Sequence, residues 1–188
     1  MKGQTMALHQ EKIYTLDDIY ALPDGQRAEL IDGRMYMMVP PTTSHQRISY
    51  AIARKISDHI DKTKDSCEVF LAPFAVFLNQ DEKNYVEPDI SVICDKSKLD
   101  EKGCHGAPDW IIEVTSPSNP QNDYGVKLFK YRTAGVREYW IVNPQKKSVM
   151  VYDLEKEEKS NQYNFEDSVP VCICEDLHIR VSDLSINA

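Results

Sequence analysis

Apolar residues recur at helical spacing in the stretch that begins at Thr43. The sequence Thr43-Ser44-His45-Gln46 has the T-x-x-Q form of a capping box, which typically opens a helix. The apolar positions that follow are three or four residues apart, which is the period of one helix face: Ile48, Ala51, Ile52, Ile56 and Ile60. The pattern predicts an amphipathic helix over roughly Thr43 to Asp61.

The N-terminal part of the chain predicts a short helix and a β-hairpin. Thr15 to Asp18 resembles a second capping box. Asp32-Gly33 is a strong hairpin signal between the apolar runs Arg27 to Ile31 and Arg34 to Val39. Residues 1–12 are polar and unpatterned, and we interpret them as a loose leader before one domain over residues 13–188.

The remaining pattern alternates between short apolar runs and turns. A second helix is predicted from Pro120 to Ala134, closed by Gly135, and Asp95 to Ala107 is predicted to be a charged loop. The predicted strands are Val69 to Ala72, Phe74 to Leu78, Pro88 to Ile93, Trp110 to Val114, Glu138 to Val142, Ser148 to Tyr152, Asn161 to Phe165 and Val169 to Cys174. The order predicts a mixed α/β (α+β) fold, with a central sheet flanked by the two main helices.

The composition places the chain among ordinary globular proteins. It has 188 residues, of which 41% are hydrophobic and 28% charged. No apolar run approaches the roughly 18 residues of a membrane span, and no signal peptide is evident, so we expect a cytoplasmic protein without a membrane partner. The 5 cysteines lack paired metal-ligand spacing, and we expect them to be reduced.

The net charge argues against a general nucleic-acid coat. Lys and Arg number 22 and Asp and Glu 30, which gives −8. Nucleic-acid-binding surfaces are usually basic. An enzyme with a carboxylate site remains possible, because a bound cation changes the local charge.

Two acids stand in otherwise apolar strands. Asp89 begins Pro88 to Ile93, and Glu113 lies inside Trp110 to Val114. Burying a carboxylate is costly unless it is paired or binds a metal. If the two strands are neighbours, both carboxylates meet at one edge of the sheet and can recruit a divalent cation. Structural alternatives remain open: Glu113 as one half of a buried ion pair, and Asp89 as a turn residue.

The second predicted helix follows the Glu113 strand directly. Its residues Asp123, Lys127 and Tyr131 share one stripe, so Lys127 could reach the carboxylates, orient a water and neutralise developing charge. Glu29 is a third acid among apolar neighbours. The alternatives are a solvated Lys127 and a Glu29 that bonds to backbone donors.

Five motifs occur in order along the chain. They are Arg27-Ala28-Glu29-Leu30-Ile31-Asp32-Gly33, Pro88-Asp89-Ile90-Ser91-Val92, Glu113-Val114-Thr115-Ser116-Pro117-Ser118, Asp123…Lys127…Tyr131 and Gly135-Val136-Arg137-Glu138-Tyr139-Trp140-Ile141-Val142. Together they resemble the family of small bacterial proteins catalogued as putative restriction endonucleases, within the PD-(D/E)xK nuclease superfamily. The resemblance extends over about Thr15 to Tyr152.

The resemblance implies a restriction-endonuclease-like mixed sheet and a site that uses Mg²⁺, or Mn²⁺. It makes Asp89 and Glu113 the metal-binding acids, with the backbone carbonyl of Val114. Glu29 matches the early Glu of the family, for which the resemblance implies a role in holding a metal-bound water. Thr115 stands where the superfamily usually has its lysine, and the resemblance implies that Lys127 takes over that role.

His45 and Tyr131 are candidates for nucleic-acid contact or for support of the site. His45 falls at the start of the long helix, where free backbone N–H groups can receive an anion. A local hydrogen bond within the helix is the alternative. A basic strip could also form from Arg47, Arg54, Lys130, Arg132 and Arg137, unless these residues are simply solvated.

The favoured hypothesis is a Mg²⁺-dependent endonuclease that hydrolyses DNA through a metal-activated water, with Glu29, Asp89, Glu113 and Lys127 as the catalytic set. A homodimer would match the two strands of a duplex. The alternative is a catalytically weak or inactive nucleic-acid or protein-binding module on the same fold. A glycosidase using two carboxylates ranks last, because Trp110 and Trp140 lie in apolar strands and look like core rather than sugar platforms.

Overall fold

The computed structural model describes residues 12–79, 81–116, 123–156 and 159–184. Most of the predicted leader, residues 1–11, lies outside the described residues, and so does the predicted start of the second helix at Pro120. Lys12, the last residue of that leader, is described. Its ammonium donates to Asp18 and lies 4.3 Å from the centre of the Tyr14 ring.

A six-stranded mixed sheet forms the centre of the fold, as predicted. Its strands are β3 (Glu68–Leu71), β5 (Ile90–Ile93), β8 (Trp110–Val114), β9 (Glu138–Asn143), β10 (Ser148–Asp153) and β11 (Lys159–Asn164). The strand order is β11-β10-β9-β8-β5-β3, with β8 and β9 parallel and the other neighbours antiparallel. β8 and β9 are buried along their whole length, which explains their nearly continuous apolar sequences.

The long amphipathic helix covers one face of this sheet. It is α2 (Thr43–Thr63), and it ends at Lys64, which adopts a left-handed conformation. Ile48, Ile52 and Ile56 pack into a core shared with the sheet strands. The cap differs from the prediction: Thr42, one residue earlier than expected, accepts the backbone N–H of His45. Both arrangements place a threonine at the helix start and leave His45 in the first turn.

A second helical segment covers the opposite face, so the predicted flanking arrangement is confirmed. Within the described residues it consists of a π-helical turn (Asp123–Lys127) followed by α3 (Leu128–Ala134), which Gly135 closes in a left-handed conformation. Tyr131 packs there against the sheet residues Ile111, Tyr139 and Ile141. The π-helical turn was not predicted from the sequence.

The N-terminal helix and hairpin are also present. α1 (Leu16–Tyr20) opens with the predicted capping box at Thr15. β1 (Ala28–Ile31) and β2 (Arg34–Met37) pair antiparallel around the turn at Asp32 and Gly33, both of which have positive φ. Backbone hydrogen bonds between Leu30 and Tyr85 attach β1 to the rest of the fold.

Two stretches differ from the sequence prediction. The predicted loop of residues 95–107 contains β6 (Leu99–Asp100) and β7 (Gly103–His105), which form a small sheet with β4 (Val76–Phe77). These strands are too short to show a hydrophobic period. The predicted strand from Val169 to Cys174 is divided into β12 (Val169–Val171) and the start of β13 (Cys174–Ile179), because the chain turns back between them.

The cysteines only partly follow the prediction. Cys67 and Cys94 form a disulfide that links the start of β3 to the end of β5, so the expectation of reduced thiols is wrong for this pair. The other three, Cys104, Cys172 and Cys174, are free. No helix in the described ranges is long and apolar enough to cross a membrane.

Candidate active site

Asp89 and Glu113 meet at one edge of the central sheet. Ile90 of β5 pairs with Ile112 of β8 in antiparallel register, so Asp89 and Glu113 fall opposite each other one position further on. The backbone N–H of Val114 donates to Asp89 Oδ2 over 2.7 Å. The neighbouring strands therefore bring the two predicted acids together, as their spacing suggested.

Glu29 reaches the same place from the hairpin. Its Oε1 accepts the backbone N–H of Glu87 over 3.1 Å, which ties β1 to the segment leading into β5. Glu87 in turn accepts from Arg27 and from the Tyr85 hydroxyl. Glu29 is buried. The backbone contact considered as an alternative is thus real, and it coexists with a contact to Lys127.

Lys127 lies at the centre of the cluster and is only 7% exposed. Its Nζ is 2.9 Å from Glu113 Oε1, 2.8 Å from Glu29 Oε2 and 3.9 Å from Asp123 Oδ1. The π-helical turn brings the side chain down onto the sheet edge. The solvated-lysine alternative is therefore excluded by the structure.

Two tyrosines support this arrangement from α3 and β9. Tyr131 Oη donates to Glu113 Oε1 over 2.8 Å, and Tyr139 Oη donates to the carbonyl oxygen of Asp123 over 3.2 Å. Both rings are fully buried and contact each other edge to face. They fix Glu113 and the π-helical turn in their positions.

His45 contacts the site from the first turn of α2. Its Nε2 lies 3.0 Å from Asp89 Oδ2, and Ser49 Oγ lies 3.5 Å from its other ring nitrogen. Burial lowers the pKa of His45, but the hydrogen bond and charge of Asp89 and a bond with the Val114 backbone outweigh it, so the pKa is raised. His45 thus supports Asp89 rather than bonding only within its own helix.

The cluster carries more negative than positive charge. Glu29, Glu113 and Asp123 lie around the ammonium of Lys127, and Asp89 lies beside His45. With all four acids ionised, the formal charge of the cluster is −3, or −2 if His45 is protonated. Burial and the neighbouring acids raise the pKa of Glu113 well above its usual value, and burial raises that of Asp123 to about 6. Burial opposes the charge of Lys127, but the carboxylates prevail and raise its pKa well above normal.

The donor types suit a hard divalent cation. Asp89, Glu113 and the Val114 carbonyl offer oxygen ligands, which Mg²⁺ and Mn²⁺ prefer, and the excess negative charge favours a cation. Within the described ranges, however, no group of three or more His, Cys, Asp or Glu side chains is arranged to hold a metal ion. The chemistry of the residues fits Mg²⁺, while Lys127 and the Val114 N–H already occupy oxygens that would serve as ligands.

Some contributors were not identified from the sequence. Glu87 lies in none of the motifs, and Tyr139 lies in the last motif without being assigned a role in the site. Tyr139 shares its side of the sheet with Glu113, as alternation along the parallel strands β8 and β9 requires. The basic residues considered earlier do not form one continuous strip of cations, because some of them pair with acids. Lys130 pairs with Asp32, and Arg137 pairs with Asp109 and Glu155, which leaves the cations on α2 to be considered separately.

The mixed sheet, its helices and this acidic edge define a nuclease-like α/β protein. Residues 15–182 match the Uma2 family, whose description reads "Putative restriction endonuclease". The chain belongs to this family. The family resemblance drawn from the sequence motifs is therefore confirmed.

Two individual proteins extend the comparison. The crystal structure of "a putative nuclease belonging to DUF820" from Anabaena variabilis is 26% identical, with a TM-score of 0.73, and the match covers 90% of this chain and 96% of that one. The "Uncharacterized protein slr1290" of Synechocystis sp. is 26% identical over 128 residues, or 68% of this chain. The match spans 66% of that protein's length. The structural similarity confirms the predicted fold.

Proposed function

We propose that this protein is an endonuclease that hydrolyses phosphodiester bonds in DNA and depends on Mg²⁺ or Mn²⁺. One observation carries the proposal above all: a buried lysine bridges Glu29 and Glu113 at the sheet edge where Asp89 also lies. Membership of a family described as restriction endonucleases supports the same reaction class.

The proposed metal ligands are Asp89, Glu113 and the backbone carbonyl of Val114. A divalent cation held there would polarise a phosphoryl oxygen and lower the pKa of water. His45 and the Val114 N–H keep Asp89 oriented, and the Tyr131 hydroxyl keeps Glu113 oriented. Such supporting contacts typically matter because they hold the ligand atoms in place before the substrate arrives.

Lys127 is proposed to stabilise the negative charge that develops on the phosphate. Its ammonium is buried and is held by Glu29 and Glu113, so its position is fixed before the substrate arrives. The neighbouring carboxylates raise the pKa of Lys127 well above its usual value against the effect of burial, which favours the cationic form. Glu29 is thus proposed as a residue that positions Lys127.

Nicking of supercoiled plasmid at low salt tests the proposal. We expect wild-type protein to nick with Mg²⁺ or Mn²⁺ and not with EDTA, and Glu113→Gln and Lys127→Ala to lose nicking. Glu175→Gln and Lys62→Ala are matched controls, because both side chains are exposed on other parts of the fold. Absence of nicking by folded wild type on duplex and single-stranded DNA would contradict the proposal.

The second candidate is a nucleic-acid or protein-binding module without catalysis. It is favoured by the oxygens that Lys127 and Val114 already occupy and by the missing lysine at Thr115. Metal-independent binding that survives Glu113→Gln, with no nicking under any of the above conditions, would identify this candidate as correct.

We also propose that the nuclease acts as a homodimer. Two symmetric copies would present two sites to the two antiparallel strands of a duplex. Light scattering coupled to size exclusion gives the mass in solution directly. Linear plasmid shows that both strands were cut, whereas nicked plasmid shows that only one was. A monomeric mass at the protein concentrations that produce linear plasmid would contradict this part of the proposal.

A further inference from the structure

A groove of about 420 Å³ lies away from the candidate active site, between α2 and the β12–β13 hairpin. We call it the α2–β13 groove. One wall is the outward face of α2, with Arg54, Lys55 and Asp58, and the other carries His178, Arg180 and Asp183. The inward residues of the same two elements, among them Ile52 and Ile179, belong to the core, so the walls of the groove are fixed by packing.

The groove is locally basic on a chain that is acidic as a whole. Arg54, Lys55 and Arg180 contribute three positive charges, and Asp58 and Asp183 contribute two negative ones. Arg180 pairs with Asp183 over 3.5 Å. Within the described part of the chain, Arg54 and Lys55 make no ion pair or hydrogen bond, so both cations face the groove without a protein partner.

The position of these two cations suits a phosphate. Arg54 and Lys55 are adjacent on the exposed side of α2, with a forked guanidinium beside a flexible ammonium, and both groups bind phosphate oxygens well. Along the axis of α2, Arg54 lies nine residues, or about 13 Å, from His45, and the two side chains project on opposite sides of the helix, so the nucleic acid would have to pass around α2 to reach both. Phosphates of one DNA strand are about 3.4 Å apart along the duplex axis, so this distance corresponds to roughly four nucleotides.

The geometry points to the α2–β13 groove as a binding site for the phosphate backbone of the nucleic acid that flanks the cleaved position. The inference rests on the proposed nuclease function and extends it to a second contact region. Arg54 and Lys55 each contact a phosphate, while Arg180 and His178 line the opposite wall. The contacts are to the backbone, so they add affinity without sequence preference.

Binding of a fluorescent 20-base-pair duplex to the full chain tests this inference, by anisotropy in EDTA at several salt concentrations. The Arg54→Ala/Lys55→Ala variant should bind more weakly, and the slope of log K against log salt should decrease in magnitude by about 1.8, the value for two phosphate contacts. Lys62→Ala/Lys146→Ala removes the same charge from exposed positions outside the groove and should leave the slope unchanged.

A charge reversal provides an independent measurement. Lys55→Glu should weaken duplex binding more than Lys62→Glu, with both variants keeping the wild-type melting temperature, because both side chains are exposed. Equal effects of the two substitutions, or of the two double variants, would overturn the inference. Binding of polyglutamate in place of the duplex, lost on Lys55→Glu, would also overturn it in favour of an acidic polypeptide.

The groove and the catalytic proposal can fail separately. Wild-type nicking with groove variants that bind as tightly as the controls would leave the nuclease proposal standing and reject the groove. Groove-dependent duplex binding without nicking under any metal condition would support the groove and reject catalysis. Wild-type protein that binds no nucleic acid at all would reject the groove.

Discussion

Lys127 Nζ lies 2.9 Å from Glu113 Oε1 and 2.8 Å from Glu29 Oε2, although Glu29 is 98 residues away in the sequence. The lysine therefore joins the N-terminal hairpin, the central sheet and the helix that covers it. A buried ion pair contributes little net stability compared with an apolar pair, but losing one partner leaves an uncompensated charge. The contacts between Lys127 and the buried carboxylates around it are the basis of the first two predictions.

Replacing Lys127 by Met should destabilise the fold. The substitution leaves Glu29, Glu113 and Asp123 close together without their cation, and removing one member of a buried pair typically costs about 3–5 kcal/mol. The loss should be smaller at pH 5 than at pH 8, because protonation of the carboxyls relieves the repulsion. Urea unfolding at both pH values measures the loss in free energy of unfolding. Lys62→Met, at an exposed position, is the control. An equal loss at the two pH values would contradict this account.

Asp123 should make stability fall as pH rises from about 4 to about 6. Burial raises its folded-state pKa from 3.8 to about 6, so the folded protein binds the proton more tightly than the unfolded chain. The stabilisation is present below pH 3.8 and is lost as pH increases through 6, with an upper limit of roughly 3 kcal/mol. Asp123→Asn should reduce this slope in chemical unfolding measured every half pH unit. An unchanged slope would show that another group is responsible.

His45 should titrate above 6.5 because of Asp89. The bond between His45 Nε2 and Asp89 Oδ2 favours the imidazolium, against the effect of burial. The associated stability is complete below pH 6.5 and is lost as pH rises through the folded-state pKa. NMR titration of the ring should show a lower pKa in Asp89→Asn than in wild type. Glu175→Gln, at an exposed position on β13, is the control and should leave the pKa of His45 unchanged.

The sequence predicted the site better than it predicted the minor strands. Asp89 and Glu113 interrupt apolar strands, where burying a carboxylate costs free energy unless it is paired or binds a metal. Lys127 shares a stripe with Tyr131 on the following helix. These signals come from the spacing of residues along a helix and from the free-energy cost of burying a carboxylate, and both are visible in the sequence alone. The π-helical turn at Asp123–Lys127 has no such signal, because its geometry is decided by the contacts of Lys127 and Tyr139.

Tertiary pairing decided the features that the sequence did not predict. β7 pairs with β4, which is far from it in the chain, and β6 pairs with β7. Their two or three residues cannot display a period of two. Cys67 and Cys94 become neighbours only because β3 and β5 pair in a register that places Glu68 opposite Ile93. Tyr139 joined the site through the parallel pairing of β8 with β9.

Divalent metal binding should release protons at pH 6 and fewer at pH 8. Burial raises the pKa of Asp123 to about 6, so this carboxyl retains part of its proton at pH 6, and a cation bound beside it disfavours that proton. Calorimetric titration with Mn²⁺ in two buffers of different ionisation enthalpy counts the released protons. Glu113→Gln should abolish binding, whereas Glu175→Gln, at an exposed position, should leave both the affinity and the proton count unchanged. Binding that releases no protons at pH 6 would mean that the cation occupies groups other than this cluster, which would remove the metal from the proposed active site.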